Sequence, residues 1–181
     1  CRARLVPLAH GTVLEVGIGS GLNAPFYTAQ VDQVVGIDPS PALLGEARGR
    51  LGTSAAPILL ACAFAESIPL ASGSIDTVVM TWTLCSLRDP RAGLDEIRRV
   101  LRPDGQLLFI EHGLAPDAEV ARWQRRLDPL WTRISCHLER PVDRLLEEAA
   151  FVIDAMQTGY VGDAPRMLTY LYQGRARPAR P

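Results

Sequence analysis

The 181-residue sequence predicts an α/β fold: a doubly wound, mostly parallel sheet of seven strands, with helices on both faces and a final antiparallel strand. Three observations lead there. Short apolar runs alternate with segments of helical period along most of the chain. The first apolar run, residues 12–16, empties into a loop carrying Gly17, Gly19 and Gly21. The side chains best suited to hold a ligand all fall just past the C-terminal ends of strands, the rim where open parallel sheets bind their ligands.

Taken in order, strand one is residues 12–16, and a helix is expected from the glycine loop to about Gln30. Strand two is 34–38. Ser40 suits an N-cap because its hydroxyl can accept an unpaired N–H of the first turn. Pro41 suits the first helical position, where an N–H would have no partner, and the helix should reach about Leu51. Residues 57–62, apolar throughout, read as a fully buried third strand, and 74–81 as the fourth. Asp89 and Pro90 open a helix with Leu94, Ile97 and Leu101 on one face and Arg98, Arg99 and Arg102 on a solvated face. The turn sequence Arg-Pro-Asp-Gly at 102–105 ends it, and 106–111 is strand five.

Beyond strand five, Val120, Trp123, Leu127, Leu130, Trp131 and Ile134 recur at helical spacing, with a break at Pro129 and Asp128 as a cap. Pro141 starts a further helix to about Ala149. Residues 151–156 and 167–173 form a closing antiparallel pair. Residues 1–174 thus make a single domain, and 175–181 a basic, proline-rich tail without fixed structure.

Bulk composition excludes several classes. A net charge of −1 gives no field for nucleic acid or an anionic surface. All 19 basic residues are arginine. No apolar run is long enough to span a bilayer, so no integral membrane segment is expected. Cys1, Cys62, Cys85 and Cys136 show neither a Cys-x-x-Cys pair nor metal-ligand spacing, and no signal peptide precedes them. Reduced thiols in a cytoplasmic protein are expected. The chain begins at Cys1 rather than methionine, which leaves open an upstream helix or anchor. The oligomeric state is not set by the sequence.

The glycine loop narrows the ligand. A second strand ends on Asp38, about 20 residues beyond the loop, as in nucleoside-binding βαβ units. Its carboxylate can accept from both ribose hydroxyls. A dinucleotide loop requires Gly-x-Gly-x-x-Gly, but Leu22 holds the third position and the glycine falls early, at Gly21. Glu15 would repel a pyrophosphate. It would tolerate S-adenosyl-L-methionine, which carries a sulfonium, an ammonium and one carboxylate. Glu15-x-Gly17-x-Gly19-x-Gly21 followed by Asp38 resembles the signature of class I S-adenosylmethionine-dependent methyltransferases.

That resemblance covers residues 12–112. Phe64-Ala-Glu-Ser-Ile-Pro-Leu70, Ser72-Gly-Ser-Ile-Asp-Thr-Val-Val79 and Glu96-Ile-Arg-Arg-Val-Leu-Arg-Pro-Asp-Gly105 are similar to elements of the type 11 branch. The acid that commonly meets the adenine amine in that branch is Phe64 here, which leaves adenine to backbone near Ala65. Phe26-Tyr27, Leu84-Cys85-Ser86, Glu111-His112 and Leu127-Asp128-Pro129-x-Trp131 resemble the small thiol methyltransferases of the methyltransferase-like family. The likeness implies a Rossmann-like methyltransferase fold, S-adenosyl-L-methionine as donor and S-adenosyl-L-homocysteine as product. It also implies a small-molecule acceptor, a thiol first and an amine, hydroxyl or lipid head group next. The expected donor site comprises Glu15, Gly17, Ile18, Gly19, Gly21, Asn23, Asp38, Pro39, Ala65, Glu66, Thr81 and Leu84.

Methyl transfer from a sulfonium is an in-line displacement that needs alignment and dryness more than acid–base help. A thiol acceptor must lose its proton, and His112 is the candidate base because imidazole titrates near neutrality. Cys85 is a second candidate beside the transfer site. Tyr27, Trp82, Trp123 and Trp131 are candidate acceptor walls, with core packing as their plain alternative. Two competing readings stand beside this one. A nicotinamide-dependent oxidoreductase is disfavoured by Leu22, Glu15 and a chain without the lysine of a Tyr-x-x-x-Lys pair. An inactive cofactor-binding scaffold is the other.

Overall fold

The computed structural model describes residues 1–132 and 136–179. A seven-stranded sheet runs through it in the order β3-β2-β1-β4-β5-β7-β6. Its strands are β1 (Gly11–Val16), β2 (Val31–Asp38), β3 (Ile58–Cys62), β4 (Ile75–Thr81), β5 (Leu101–His112), β6 (Phe151–Tyr160) and β7 (Tyr170–Pro178). β1 pairs in parallel with both β2 and β4, so the order reverses at β1. β7 lies antiparallel between β5 and β6.

The alternation of side chains along the strands splits the core in two. Leu14, Val16, Ile37, Val78, Met80, Leu107 and Phe109 face one layer, packed with Leu94, Ile97 and Val100 of α3 (Pro90–Val100) and Leu146 of α5 (Val142–Glu148). Val13, Val34, Val79, Leu108 and Ile110 face the other, against Leu5 of α1 (Arg2–Leu5) and Val6, Ala9 and Tyr27. The central stretches of β4 (Val78–Met80) and β5 (Leu107–Ile110) are apolar and fully buried because they lie between both layers.

The expected caps form. The Ser40 hydroxyl accepts from the Leu43 N–H at 3.3 Å and opens α2 (Pro41–Arg48). Asp89 accepts from the Ala92 N–H at 3.0 Å and opens α3. α4 (Ala118–Trp131) follows β5 in the chain.

Several expectations are corrected. No α-helix follows the glycine loop; three residues of 3₁₀ helix, Ala24–Phe26, stand in its place. Pro25 contributes no N–H there, and Tyr27 leaves in an extended conformation to reach Glu15. α2 ends at Arg48 rather than Leu51. β3 is an edge strand rather than a fully buried one, with Leu59 exposed. The 102–105 segment is not a free turn but the irregular start of β5, where pairing with β4 shifts register.

Pro129 does not break α4, because it sits in the last turn, which ends at Trp131; Ile134 lies outside the described residues. Asp128 caps no helix start. It is buried, accepts the Leu138 N–H at 2.6 Å and meets His137 Nδ1 at 2.9 Å. Residues 175–178, read as tail, complete β7, with Ala176 fully buried and Arg177 bonded to Asp154 at 3.0 Å.

Arg99 is no idle surface charge. Its guanidinium donates to the Ile68 and Leu70 carbonyls at 2.9 and 2.8 Å and to Glu96. Glu96 in turn accepts the Ile68 N–H at 2.8 Å, so the pair fixes the segment between β3 and β4 onto α3. Arg98 pairs with Asp95 at 3.3 Å, and Arg102 reaches Asp76.

At the β6–β7 contact, a Cβ on Gly174 would lie 2.2 Å from the Ala155 carbonyl and 3.0 Å from Met156 Cα. Backbone cannot yield as a side-chain tip does. Gly174→Ala should therefore lower stability by about 1–3 kcal/mol, read as a lower urea midpoint at unchanged slope.

Candidate active site

Two adjoining cavities open at the C-terminal rim where β1 meets β2 and β4. The larger, of about 500 Å³, is lined by Arg2, Glu15, Gly19, Asp38, Thr81 and Trp82, among others. The smaller, of about 320 Å³, is lined by Val16, Ile37, Ala63, Phe64, Ala65 and Leu87, among others. Gly17, Pro39, Ser40, Thr83, Ser86 and Leu87 belong to both, so the two make one elongated cleft.

The glycine segment is tied down at several points. Asp38, nearly buried, accepts the Gly19 N–H at 3.0 Å and the Ser40 N–H at 2.8 Å. Its carboxylate is therefore held in one orientation at the cleft wall. Gly17 takes φ 68°, and a Cβ there would lie 2.2 Å from Thr83 Oγ1, so glycine lets the β1 and β4 ends close on each other. A Cβ on Gly19 would meet only the Gly17 carbonyl oxygen, at 4.0 Å, leaving room for a ligand against the main chain. Gly21 lines neither cavity. At φ 80° it is in the left-handed region, and a Cβ added there would lie 3.3 Å from Ala47 Cα of α2, so backbone conformation and packing both favour glycine.

Glu15 is fully enclosed. Tyr27 donates to its Oε2 at 2.6 Å and Asn23 Nδ2 to its Oε1 at 2.9 Å. Asn23 Nδ2 also reaches Thr81 Oγ1 at 3.0 Å, and Asn23 Oδ1 accepts from Arg2 Nε at 3.0 Å. Burial pushes the Glu15 carboxyl up to about 7, against the opposing pull of Tyr27, Asn23 and Arg2. Burial and the neighbouring Glu15 push the Tyr27 phenol well above its usual value.

A second enclosed carboxylate shapes the opposite wall. Glu111 accepts the Thr83 N–H at 2.8 Å and the Cys85 N–H at 3.3 Å, and burial lifts it to about 7. These bonds hold the turn after β4, where Trp82 sits at φ 54° in the left-handed region. A bulky residue there costs roughly 1–2 kcal/mol. The Trp82 N–H bond to the Ile110 carbonyl, 2.7 Å, helps impose it. From the far side, the buried Arg140 donates to the Leu84 and Leu87 carbonyls.

The cleft thus gathers Glu15, Gly17, Ile18, Gly19, Asn23, Asp38, Pro39, Ala65, Glu66, Thr81 and Trp82. Glu66 also accepts the Arg88 N–H at 3.1 Å, joining the two loops beside Phe64. Leu84 is fully buried outside the cleft, its carbonyl taken by Arg140. Cys85 is buried behind the same turn, and its thiol is pushed far up by Cys136, burial and Glu111.

Tyr27 is enclosed against Glu15 and lines neither cavity. Trp123 lies exposed on α4 near Arg126, and Trp131 is half-buried at the end of that helix; neither reaches the cleft. His112 stands half-buried at the end of β5, its ring edge-on to Trp82 with centroids 6.3 Å apart. Burial lowers its pKa, which favours the neutral ring, and His112 lines neither cavity.

Sequence reasoning missed Arg2 and Glu111, and also Ser40, Thr83, Ser86 and Leu87, which line both cavities. Nothing in the sequence folds residue 2 over β4, whereas Glu111, an acid inside the otherwise apolar strand five, was the available signal.

A family model described as a methyltransferase domain matches residues 14–109. The chain belongs to this family. Among named proteins it is similar to thiol S-methyltransferase TMT1B of Rattus norvegicus, 38% identical over 77% of this chain and 59% of the relative. It is also similar to thiol S-methyltransferase TMT1A of Homo sapiens, 35% identical over the same shares. The chain therefore spans about 59% of the length of these relatives. A solved structure from Bacillus halodurans, described as a candidate methyltransferase, shares the fold over 99% of both chains, with a TM-score of 0.76 at 19% identity. Among the described residues no helix is long and apolar enough to cross a membrane.

The two enclosed acids set a pH dependence. Both carry pKa values near 7 in the fold, against 4.5 ordinarily. Their contribution is whole below pH 4.5 and is lost as the pH rises to 7, because the unfolded chain gives up these protons first. Urea unfolding of Glu111→Gln should therefore show a flatter fall in stability over that window than wild type. The difference expected is more than about 1 kcal/mol.

Proposed function

We propose that the chain is an S-adenosylmethionine-dependent methyltransferase acting on a small molecule, with a thiol as its acceptor. The observation that carries this reading is Asp38, its carboxylate fixed by the Gly19 and Ser40 N–H groups on the wall of the larger cavity. A carboxylate so held accepts from the vicinal hydroxyls of a ribose. The apolar neighbours Val16, Ile37, Ala63, Ala65 and Leu87 suit a flat base beside it. The thiol is proposed from the names of the relatives, and a reducing, cytoplasmic setting is proposed with it.

When bound, the donor supplies an electrophilic methyl on a positively charged sulfur. The residues here orient it and keep water out. Asp38 and the main chain at Gly17 and Gly19 fix the nucleoside, while Thr83, Ser86 and Leu87 form the floor shared by the two cavities. Glu15, held by Asn23 and Tyr27, braces the segment that carries the glycines. His112, its neutral form favoured by partial desolvation, accepts the proton of the incoming thiol beyond Trp82.

Calorimetry against S-adenosylmethionine and NADH tests the donor: binding of the former alone is expected, and preference for NADH overturns the reading. Asp38→Asn should weaken donor binding roughly tenfold or more, since each lost hydrogen bond to a charged group is worth about 1.5–3 kcal/mol. A mass-spectrometric panel of alkyl thiols, amines and hydroxyl compounds tests the acceptor, with methyl thioethers as the expected products. His112→Ala should lower kcat with thiols at least about tenfold while donor affinity stays unchanged. An unchanged kcat removes His112 as the base.

A further inference from the structure

The N-terminal segment places a cation in the cleft that the donor site described so far does not use. Arg2 opens α1, and Leu5, Val6 and Ala9 just beyond it are buried against the sheet, so its backbone is anchored. Its guanidinium carbon lies over the Trp82 ring, 4.2 Å from the centroid, a cation–π contact that holds the group there. Nε donates to Asn23 Oδ1 at 3.0 Å, a second restraint on the same group. Among the described residues, Nη1 and Nη2 have no hydrogen-bond partner, and Arg2 has no carboxylate within ion-pair distance. Arg2 lines the same cavity as Asp38.

The nearest acid does not use up this charge. Both Glu15 oxygens are already engaged, Oε1 by Asn23 and Oε2 by Tyr27, and burial drives that carboxyl toward its neutral form. The cavity is therefore polar at two places and in opposite senses. Asp38 accepts from hydroxyl groups, and Arg2 offers a planar two-pronged donor matched to a carboxylate. One molecule satisfies both: a nucleoside extended by an amino-acid chain.

We propose that Arg2, braced by Trp82 and Asn23, clamps the carboxylate of the donor's amino-acid end and so selects donors that carry one. This rests on the donor reading above. Two ligands that share the adenosine and the sulfur separate the clamp from that reading: S-adenosylhomocysteine, which has the carboxylate, and 5′-methylthioadenosine, which lacks the whole amino-acid end.

Both are titrated by calorimetry into the wild-type chain, Arg2→Gln and Arg2→Lys. Arg2→Gln should weaken S-adenosylhomocysteine roughly 10–100-fold and leave methylthioadenosine unchanged. Arg2→Lys, which keeps the charge and loses the fork, should fall between. Equal S-adenosylhomocysteine affinity in Arg2→Gln and wild type overturns the clamp and leaves the donor reading standing. A parallel loss of both ligands also overturns it, because Arg2 then serves only to hold the rim together. Failure of both ligands to bind the wild-type chain overturns the donor reading and the clamp with it.

Discussion

A carboxylate sealed from water must be satisfied by protein groups alone, and the rim of this sheet is organised around two that are. Glu15 draws Tyr27 and Asn23 inward, and with them the whole segment between β1 and β2. Glu111 collects main-chain N–H groups from the turn after β4. Stripping such a group of solvent costs several kcal/mol when its partners are missing. The bonds are therefore requirements of the fold, and the cleft between them inherits their rigidity. Among the described residues no enclosed side-chain nitrogen or oxygen is left without a partner.

The same economy explains the absent helix. A regular helix pairs its own main-chain groups, whereas this rim of turns is fixed by side chains. Asn23 uses Nδ2 on Glu15 and Thr81 and Oδ1 on Arg2, bonding three residues that lie far apart in sequence. The result is a rim made of turns, open to a ligand on one side and knitted to three strands on the other.

What could be read from the sequence follows the range of the forces involved. Local signals were legible: Ser40 and Asp89 cap the helices they precede, and the apolar runs became strands in the expected order. Asp38, Gly17 and Gly19 were legible because spacing alone brings them to one rim, whereas Gly21, read with them, packs toward α2 instead. Long-range choices were not. Arg99 looked solvated because its partners, the carbonyls of Ile68 and Leu70, lie about 30 residues away by a path the periodicity does not encode. Leu84 and Cys85 follow β4 like true rim residues, yet Glu111 and Arg140 pull that turn inward and away from the cleft. Arg2 was invisible for the same reason.

The antiparallel seating of β7 has a bearing on how the chain acquires its shape. β6 precedes β7 in sequence but lies outside it, with no neighbour except β7. While the polypeptide is being synthesised, β6 therefore emerges before the only strand it can join, and the outer edge of β5 waits beside it with bare main-chain groups. A premature stop before residue 170 would strip the sheet of two strands at once. Core side chains that pack with Tyr170, Tyr172 and Ala176 would then face water, and such a product is a ready substrate for chaperones and proteases.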